Sequence, residues 1–264
     1  MKERDHEIVN KNRPVSLLHV ASKVWERVAL NQLATYMNNN RRLTEHQSGN
    51  KKLHSCEILY VMTTDKVIEA MDSKKLTLVV LLDLSKAFDS IDHCRLLSKL
   101  KALGIGRTAL EWFRSYLTGR QQYIRIGFET SNIGPITHGV PRGLILVLAL
   151  FNLYINDLPT IPESDLLESF VDDSKLYLSF PEKDANVVVQ PINEDLAKIA
   201  TWCCYNGLLI NPDKIKLLVM GNRQMLLRLL KDFHVTLLGK EVTPFNSARD
   251  LEIEMYRNGR NAKL

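Results

Sequence analysis

Residues 75 to 88 read "KLTLVVLLDLSKAF", and the fold turns on how this run is understood. From Leu76 to Leu82 every residue is leucine, valine or threonine, with a lysine pair before the run and Asp83 after it. A stretch this short and this apolar, without the alternation of a half-exposed strand, reads as a central strand covered on both faces. Asp83 then stands at its C-terminal end, where open sheets present chemistry. The same position also suits a cap for the following turn.

Upstream, the apolar spacing is helical. "SKVWERVALNQLATYMNNN" carries Val24, Trp25, Val28, Leu33 and Met37 on one face, with Ser22 as N-cap and the asparagine run as a stop. "EILYVMTTDKVIEAMDSKK" repeats the pattern through Ile58, Val61, Met62, Val67, Ile68 and Met71. Downstream come "DHCRLLSKLKALG", with Leu96, Leu97, Leu100 and Leu103 aligned and Gly104 as C-cap, and "RTALEWFRSYLTGR", ending at Gly119. "QQYIRIG" and "SNIGPITHGVP" then read as strands between turn residues. The apolar run "GLILVLALFNLYI", Gly143 to Ile155, is shorter than the roughly 20 residues of a spanning helix and is expected as a buried one.

Next is "ESFVDDSKLYLSF", residues 168 to 180, two apolar runs around adjacent aspartates, which predicts a β-hairpin with an acidic tip. "EDLAKIATWCCYNG" predicts a helix stopping at Gly207, "LLINPDK" an Asn-Pro turn and "IKLLVMG" a further strand. The order gives an α+β fold with a mostly antiparallel sheet and helices on one face.

Composition is that of an ordinary globular protein: 264 residues, 45% hydrophobic and 25% charged, without internal repeats. Cys56, Cys94, Cys203 and Cys204 match neither a zinc pair nor a secreted disulfide framework, and "MKERDHEIVNKNRP" has no apolar signal core. An intracellular setting is expected. Up to Lys52, ten basic residues face five acidic ones, so the net charge of +5 arises in the first fifth of the chain. Such a region suits a polyanion and equally a solvated basic face.

Adjacent aspartates at a hairpin tip repel unless a cation neutralises them. If the strand ending in Asp83 lies beside the hairpin, Asp83, Asp172 and Asp173 converge as hard oxygen ligands suited to Mg²⁺. Two such ions roughly 3.5–4 Å apart serve in-line displacement at phosphorus. An Asp-Asp pair taken alone is also an ordinary turn sequence.

The combination is more specific. "LVVLLDLSKAFDSIDHCRLLSKLKALG", "GVPRGLILVLALFNLYINDLP" and "ESFVDDSKLYLSF" resemble the three central motifs of reverse transcriptases, those of non-long-terminal-repeat retrotransposons of the long interspersed element type above all. The likeness extends to "NKNRPVSLLHVASKVWERV", "LTEHQSGNKKLHS" and "WCCYNGLLINPDKIKLLVMG", most of residues 10 to 222. It implies a right-hand polymerase fold: fingers-like residues 1–75, a palm over 76–222 with inserted fingers elements, and the end of the palm over 223–264, with the chain stopping before a thumb.

The resemblance also implies an RNA-directed DNA polymerase working with an RNA template, a DNA primer, deoxynucleoside triphosphates and two Mg²⁺ ions, Mn²⁺ being the alternative, in cytoplasm and nucleus and away from membranes. Asp83, Asp172 and Asp173 become metal ligands and Lys214 the proton donor to pyrophosphate, against a plain turn lysine. Phe88 becomes the side chain under the incoming sugar, against simple core packing. Arg13 and Lys51 match finger positions that hold the triphosphate, against surface charges. Arg142, Gly143 and Leu144 stand where the family has Gln-Gly-Ser, Val147 and Leu148 replace a glycine-proline, Ser48, Asn50 and Leu53 depart from the aromatic-glycine pattern, and Glu252 replaces a glycine of the next strand. These departures carry the second reading, a non-catalytic remnant that binds nucleic acid weakly. A metal-dependent phosphatase or nuclease accounts for the acidic cluster alone and for none of its flanks.

Overall fold

A computed structural model describes residues 16, 19–47, 56–140, 143–229, 233–250 and 253–256. Its centre is the stretch quoted first. Strand β1, Lys75–Ser85, pairs along one edge with β7, Asp173–Pro181, which is paired in turn with β6, Leu166–Phe170. Its other edge is shared by β8, Leu209–Ile210, opposite Leu84 and Ser85, and β9, Lys216–Met220, opposite Thr77 to Leu81. Every pairing is antiparallel. Leu76, Leu78, Val79 and Val80 are fully buried, as a strand covered on both faces requires.

The two faces carry different cores. Leu76, Leu78, Val80, Leu82 and Leu84 point into the larger one. It is completed by α3, His93–Ala102, α5, Val147–Tyr154, and α6, Ala185–Tyr205. Val79 and Leu81 point into a smaller one with Tyr177, Leu218 and Met220. Over it lie Val67 of α2, Cys56–Asp72, and the hairpin of β12, Ser247–Asp250, and β13, Ile253–Tyr256. The expectation of helices on one face is therefore corrected: α2 covers the other. The single strand anticipated near the chain end is a hairpin, and Glu252 lies outside the described residues.

Two helices bury only part of the stripe their periodicity suggested, Leu33 and Met37 in one and Val67 in the other. Helix α1, Val20–Asn39, buries Glu26, Leu33 and Met37, while Val24, Trp25 and Val28 are exposed. It begins before Ser22, whose amide donates to the His19 carbonyl. Helix α2 buries Thr63, Val67 and Ala70, the Thr63 hydroxyl lying 3.0 Å from that of Tyr177. Both faces are chosen by a polar contact that an apolar count cannot see. Helix α6 starts nine residues earlier than expected and runs through Pro191.

Helix α3 is capped by Asp92, which accepts the Arg95 amide at 2.7 Å. Helix α4, Arg107–Leu117, ends before Gly119 as expected. The two expected strands after it are reduced to two-residue ladders, β2, Gln121–Gln122, with β5, Gly134–Pro135, and β3, Arg125–Ile126, with β4, Glu129–Thr130, all lying at the surface. Among the described residues no helix is long and apolar enough to cross a membrane.

Candidate active site

The site is built at the end of β1. Register sets Asp83 directly opposite Asp173, the first residue of β7, and direct antiparallel partners present their side chains on the same face. Asp172 precedes Asp173 in the tip of the β6–β7 hairpin. Because Phe170 pairs with Asp173, Val171 and Asp172 form a two-residue turn, the commonest hairpin connection. Val171 lies at φ +57°. For a β-branched residue this left-handed backbone costs about 1–3 kcal/mol, and such strain gathers at functional sites.

Lys214 closes the other side. Its Nζ donates to Asp83 Oδ1 at 3.2 Å and Oδ2 at 3.3 Å. The turn carrying it follows β8 as the sequence suggested: the Asn211 side chain accepts the Asp213 amide, and the Asn211 amide donates to the Asp83 carbonyl at 3.2 Å. Like charges opposed across two strands are unfavourable, and the ammonium offsets that repulsion at Asp83. The carboxylates offer the hard oxygen donors that Mg²⁺ prefers. Among the described residues, however, no three His, Cys, Asp or Glu side chains are grouped closely enough to hold a metal ion. The backbone brings Asp83 and Asp173 together; the side chains are not gathered into a cage.

Beside the strand end lies the loop leading to α5. The 3-10 turn Ala87–Ser90 after β1 carries Phe88, half-buried with its ring centroid 4.7 Å from that of Phe151. The Phe88 carbonyl accepts the Val140 amide at 3.0 Å and the Ile91 carbonyl accepts that of Gly139 at 2.7 Å. The buried His93 ring holds the Gly139 carbonyl from the other side, Nε2 to oxygen 2.7 Å. Gly143 lies at φ +92°, backbone that suits glycine. Leu144 is 7% exposed and belongs to the larger core. Arg13, Lys51 and Arg142 lie outside the described residues, with most of the basic positions at the chain start.

Three buried polar side chains escaped the sequence reading. Glu26 of α1 is 1% exposed, and its Oε2 accepts the amides of Ile145 at 2.6 Å and Leu146 at 3.4 Å, anchoring the start of α5. Burial, then the Glu26 charge, push the Tyr116 hydroxyl above its ordinary pKa. His93 looked like a helix residue, and Gln47 sat in a polar loop. None of the three carried a sequence signal, because each matters through a partner distant in the chain.

These features define a class: an α+β domain whose central antiparallel strand delivers one aspartate against the aspartates of a neighbouring hairpin turn. Residues 2–243 match the family model "Reverse transcriptase (RNA-dependent DNA polymerase)", and the chain belongs to that family. It is 32% identical over 209 residues to the probable RNA-directed DNA polymerase from transposon BS of Drosophila melanogaster, covering 76% of this chain and 23% of that protein. Identity to the RNA-directed DNA polymerase from mobile element jockey of the same species is 28% over 222 residues, 81% of this chain and 24% of that one. The chain thus spans less than a quarter of the length of these relatives.

Among solved structures, apo telomerase from Candida tropicalis, truncated from its C-terminal domain, matches with a TM-score of 0.59 at 10% identity over 90% of this chain and 44% of that one. Telomerase from Candida albicans matches with a TM-score of 0.54 at 15% identity, over 92% and 37%. At these identities the likeness is one of fold.

Proposed function

We propose that the chain is the polymerase core of an RNA-directed DNA polymerase, adding deoxynucleotides to a DNA 3′ end on an RNA template. The observation that carries this reading is the register that opposes Asp83 to Asp173, with Lys214 on Asp83, in a chain of the reverse transcriptase family. Residues 76–222 act as palm, residues 1–75 as fingers, and residues 223–264 complete the palm. Asp83, Asp172 and Asp173 would hold two Mg²⁺ ions, whose charge would favour attack by the 3′ oxygen and departure of pyrophosphate.

The chain's own groups do the rest. Lys214 keeps a protonated donor beside Asp83, a reservoir for the proton that pyrophosphate takes on leaving. Phe88 offers its ring to the sugar of the incoming nucleotide. Its backbone tie to Val140 supports this, since that loop runs on into Arg142 and Gly143. Arg13 and Lys51 supply positive charge for the triphosphate, and Arg142 and Gly143 stand where the family's glutamine-glycine positions the nucleotide.

One observation favours the second reading, a fold that binds nucleic acid without catalysis. Leu144 stands where the family has a serine, and it is spent on the core. Primer extension on poly(rA)/oligo(dT) with Mg²⁺ separates the two. The parent should extend, Asp172→Asn should not, and both should bind the hybrid alike. Extension by Arg142→Gln alone would mean a sound carboxylate site silenced by one substitution; extension by none of them would leave the non-catalytic reading standing.

A further inference from the structure

We infer that Gln47 is a positioning residue for the Asp172–Asp173 turn, an inference that rests on the metal-binding reading of the aspartates proposed above. Gln47 comes from a loop, yet it is 1% exposed. Its backbone forms a parallel bridge with Ser169 of β6, and the neighbouring His46 carbonyl accepts the Ser169 amide at 2.9 Å. This short segment therefore runs along the outer edge of the hairpin that carries the aspartates. From there the Gln47 side chain reaches the tip: its Oε1 accepts the Val171 amide at 3.2 Å.

That amide is one of the two, with that of Asp172, that the turn cannot satisfy for itself. In a two-residue hairpin the ladder closes between Phe170 and Asp173, and the first central residue is left with its N–H pointing outward. Val171 is also the residue whose left-handed backbone is unfavourable for its side chain. One hydrogen bond to a buried acceptor thus holds a strained peptide at the position next to Asp172. Without it, the easiest relaxation swings Val171 out of the left-handed region and carries Asp172 along. Asp173, pinned by register opposite Asp83, stays. Gln47 therefore fixes where the backbone of Asp172 stands relative to the Asp83–Asp173 pair.

The test is Mn²⁺ binding to the whole chain, read by electron paramagnetic resonance and so independent of catalysis. Four variants are compared with the parent: Gln47→Met, Val171→Gly, the two together, and Asp172→Asn as the floor. Gln47→Met keeps the volume and removes the acceptor, so it should retain the far-UV circular dichroism of the parent while Mn²⁺ affinity drops about five- to tenfold. Glycine takes the left-handed backbone without strain, so adding Gln47→Met to Val171→Gly should change affinity by less than about twofold.

Parent-like affinity in Gln47→Met overturns the inference alone, as does an equal loss with and without Val171→Gly. A parent that binds Mn²⁺ no better than Asp172→Asn overturns the metal-binding reading and this inference with it. Should Gln47→Met fail to fold, amide exchange in the parent decides. Exchange at Val171 slower than at an open turn supports the buried acceptor, and exchange at the open rate refutes it.

Discussion

Asp165, just before β6, is a carboxylic acid with nowhere to put its charge. Both of its carboxyl oxygens are buried without a hydrogen-bond partner, because its neighbour has taken the donors. Asp195 of α6 is 1% exposed and accepts the amides of Glu163, Ser164 and Asp165, with Lys198 beside it. Burial works against the Asp195 charge, but those amides and Lys198 hold its pKa below the ordinary value. Asp165, by contrast, is pushed up to about 7, first by burial and then by the Asp195 charge. The sign follows directly. The folded chain binds the Asp165 proton more tightly than the unfolded one, so stability falls as pH rises from about 4 to about 7 and levels off beyond. A shift of this size is worth about 4 kcal/mol at most. Asp165→Asn should therefore gain about 2–4 kcal/mol on the parent at pH 8 and little at pH 4. Urea titrations at both pH values check it, and a parent-to-variant gap that does not widen with pH would sink the assignment.

Among elements, residues 138–140 are held by His93 and by the Phe88 turn, and residues 145–146 by Glu26. Gly139 is where the first of these stretches comes closest to a neighbour: at φ +79°, an added Cβ would stand 2.8 Å from the Asp89 carbonyl oxygen and 2.9 Å from its Cα. Gly139→Ala should cost about 2–4 kcal/mol in denaturant unfolding, since both the backbone and the gap oppose it. Glu26→Leu should cost about as much by leaving the Ile145 and Leu146 amides buried and unpaired, whereas Glu26→Gln, which keeps an acceptor, should cost less than about 1 kcal/mol. Equal losses from the two Glu26 variants would show that charge, and not the acceptor, matters there. The same contrast explains what the sequence could tell. Strand β1 and the aspartate hairpin were legible because an unbroken apolar run and a flanked Asp-Asp tip are local patterns, and with them came Asp83, Asp172 and Asp173. The buried Glu26 of α1 was not, because its partners lie over a hundred residues away. Gln47 was invisible for the same reason, and the first nine residues of α6 were missed although the helix runs through Pro191.

At the scale of the whole molecule, one strand joins two cores. Leu78 and Val79 are adjacent, both fully buried, and face opposite ways, the first into the larger cluster and the second into the smaller. Their backbones share the same partners, since β7 and β9 pair with β1 along this stretch. Neither face can therefore open without breaking the ladder that supports the other, and the ladder ends at Asp83 and Asp173. Leu78→Ala should cost about 2–5 kcal/mol through the cavity it leaves, and Val79→Ala about 2 kcal/mol, the removed groups being smaller. More telling is the form of the transition. In both variants, urea curves followed by far-UV circular dichroism and by tryptophan fluorescence should coincide. Trp202 belongs to the larger core, and Trp25 and Trp112 line one cavity with its Leu33 and Phe113, so the tryptophan signal would hold while helical signal fell if α2 and the smaller core could melt alone. A split between the two curves in Val79→Ala would show the faces to be independent. Coincidence would mean that the carboxylate pair at the end of β1 exists only while both cores are intact, which makes a substitution anywhere under the sheet a change at the site.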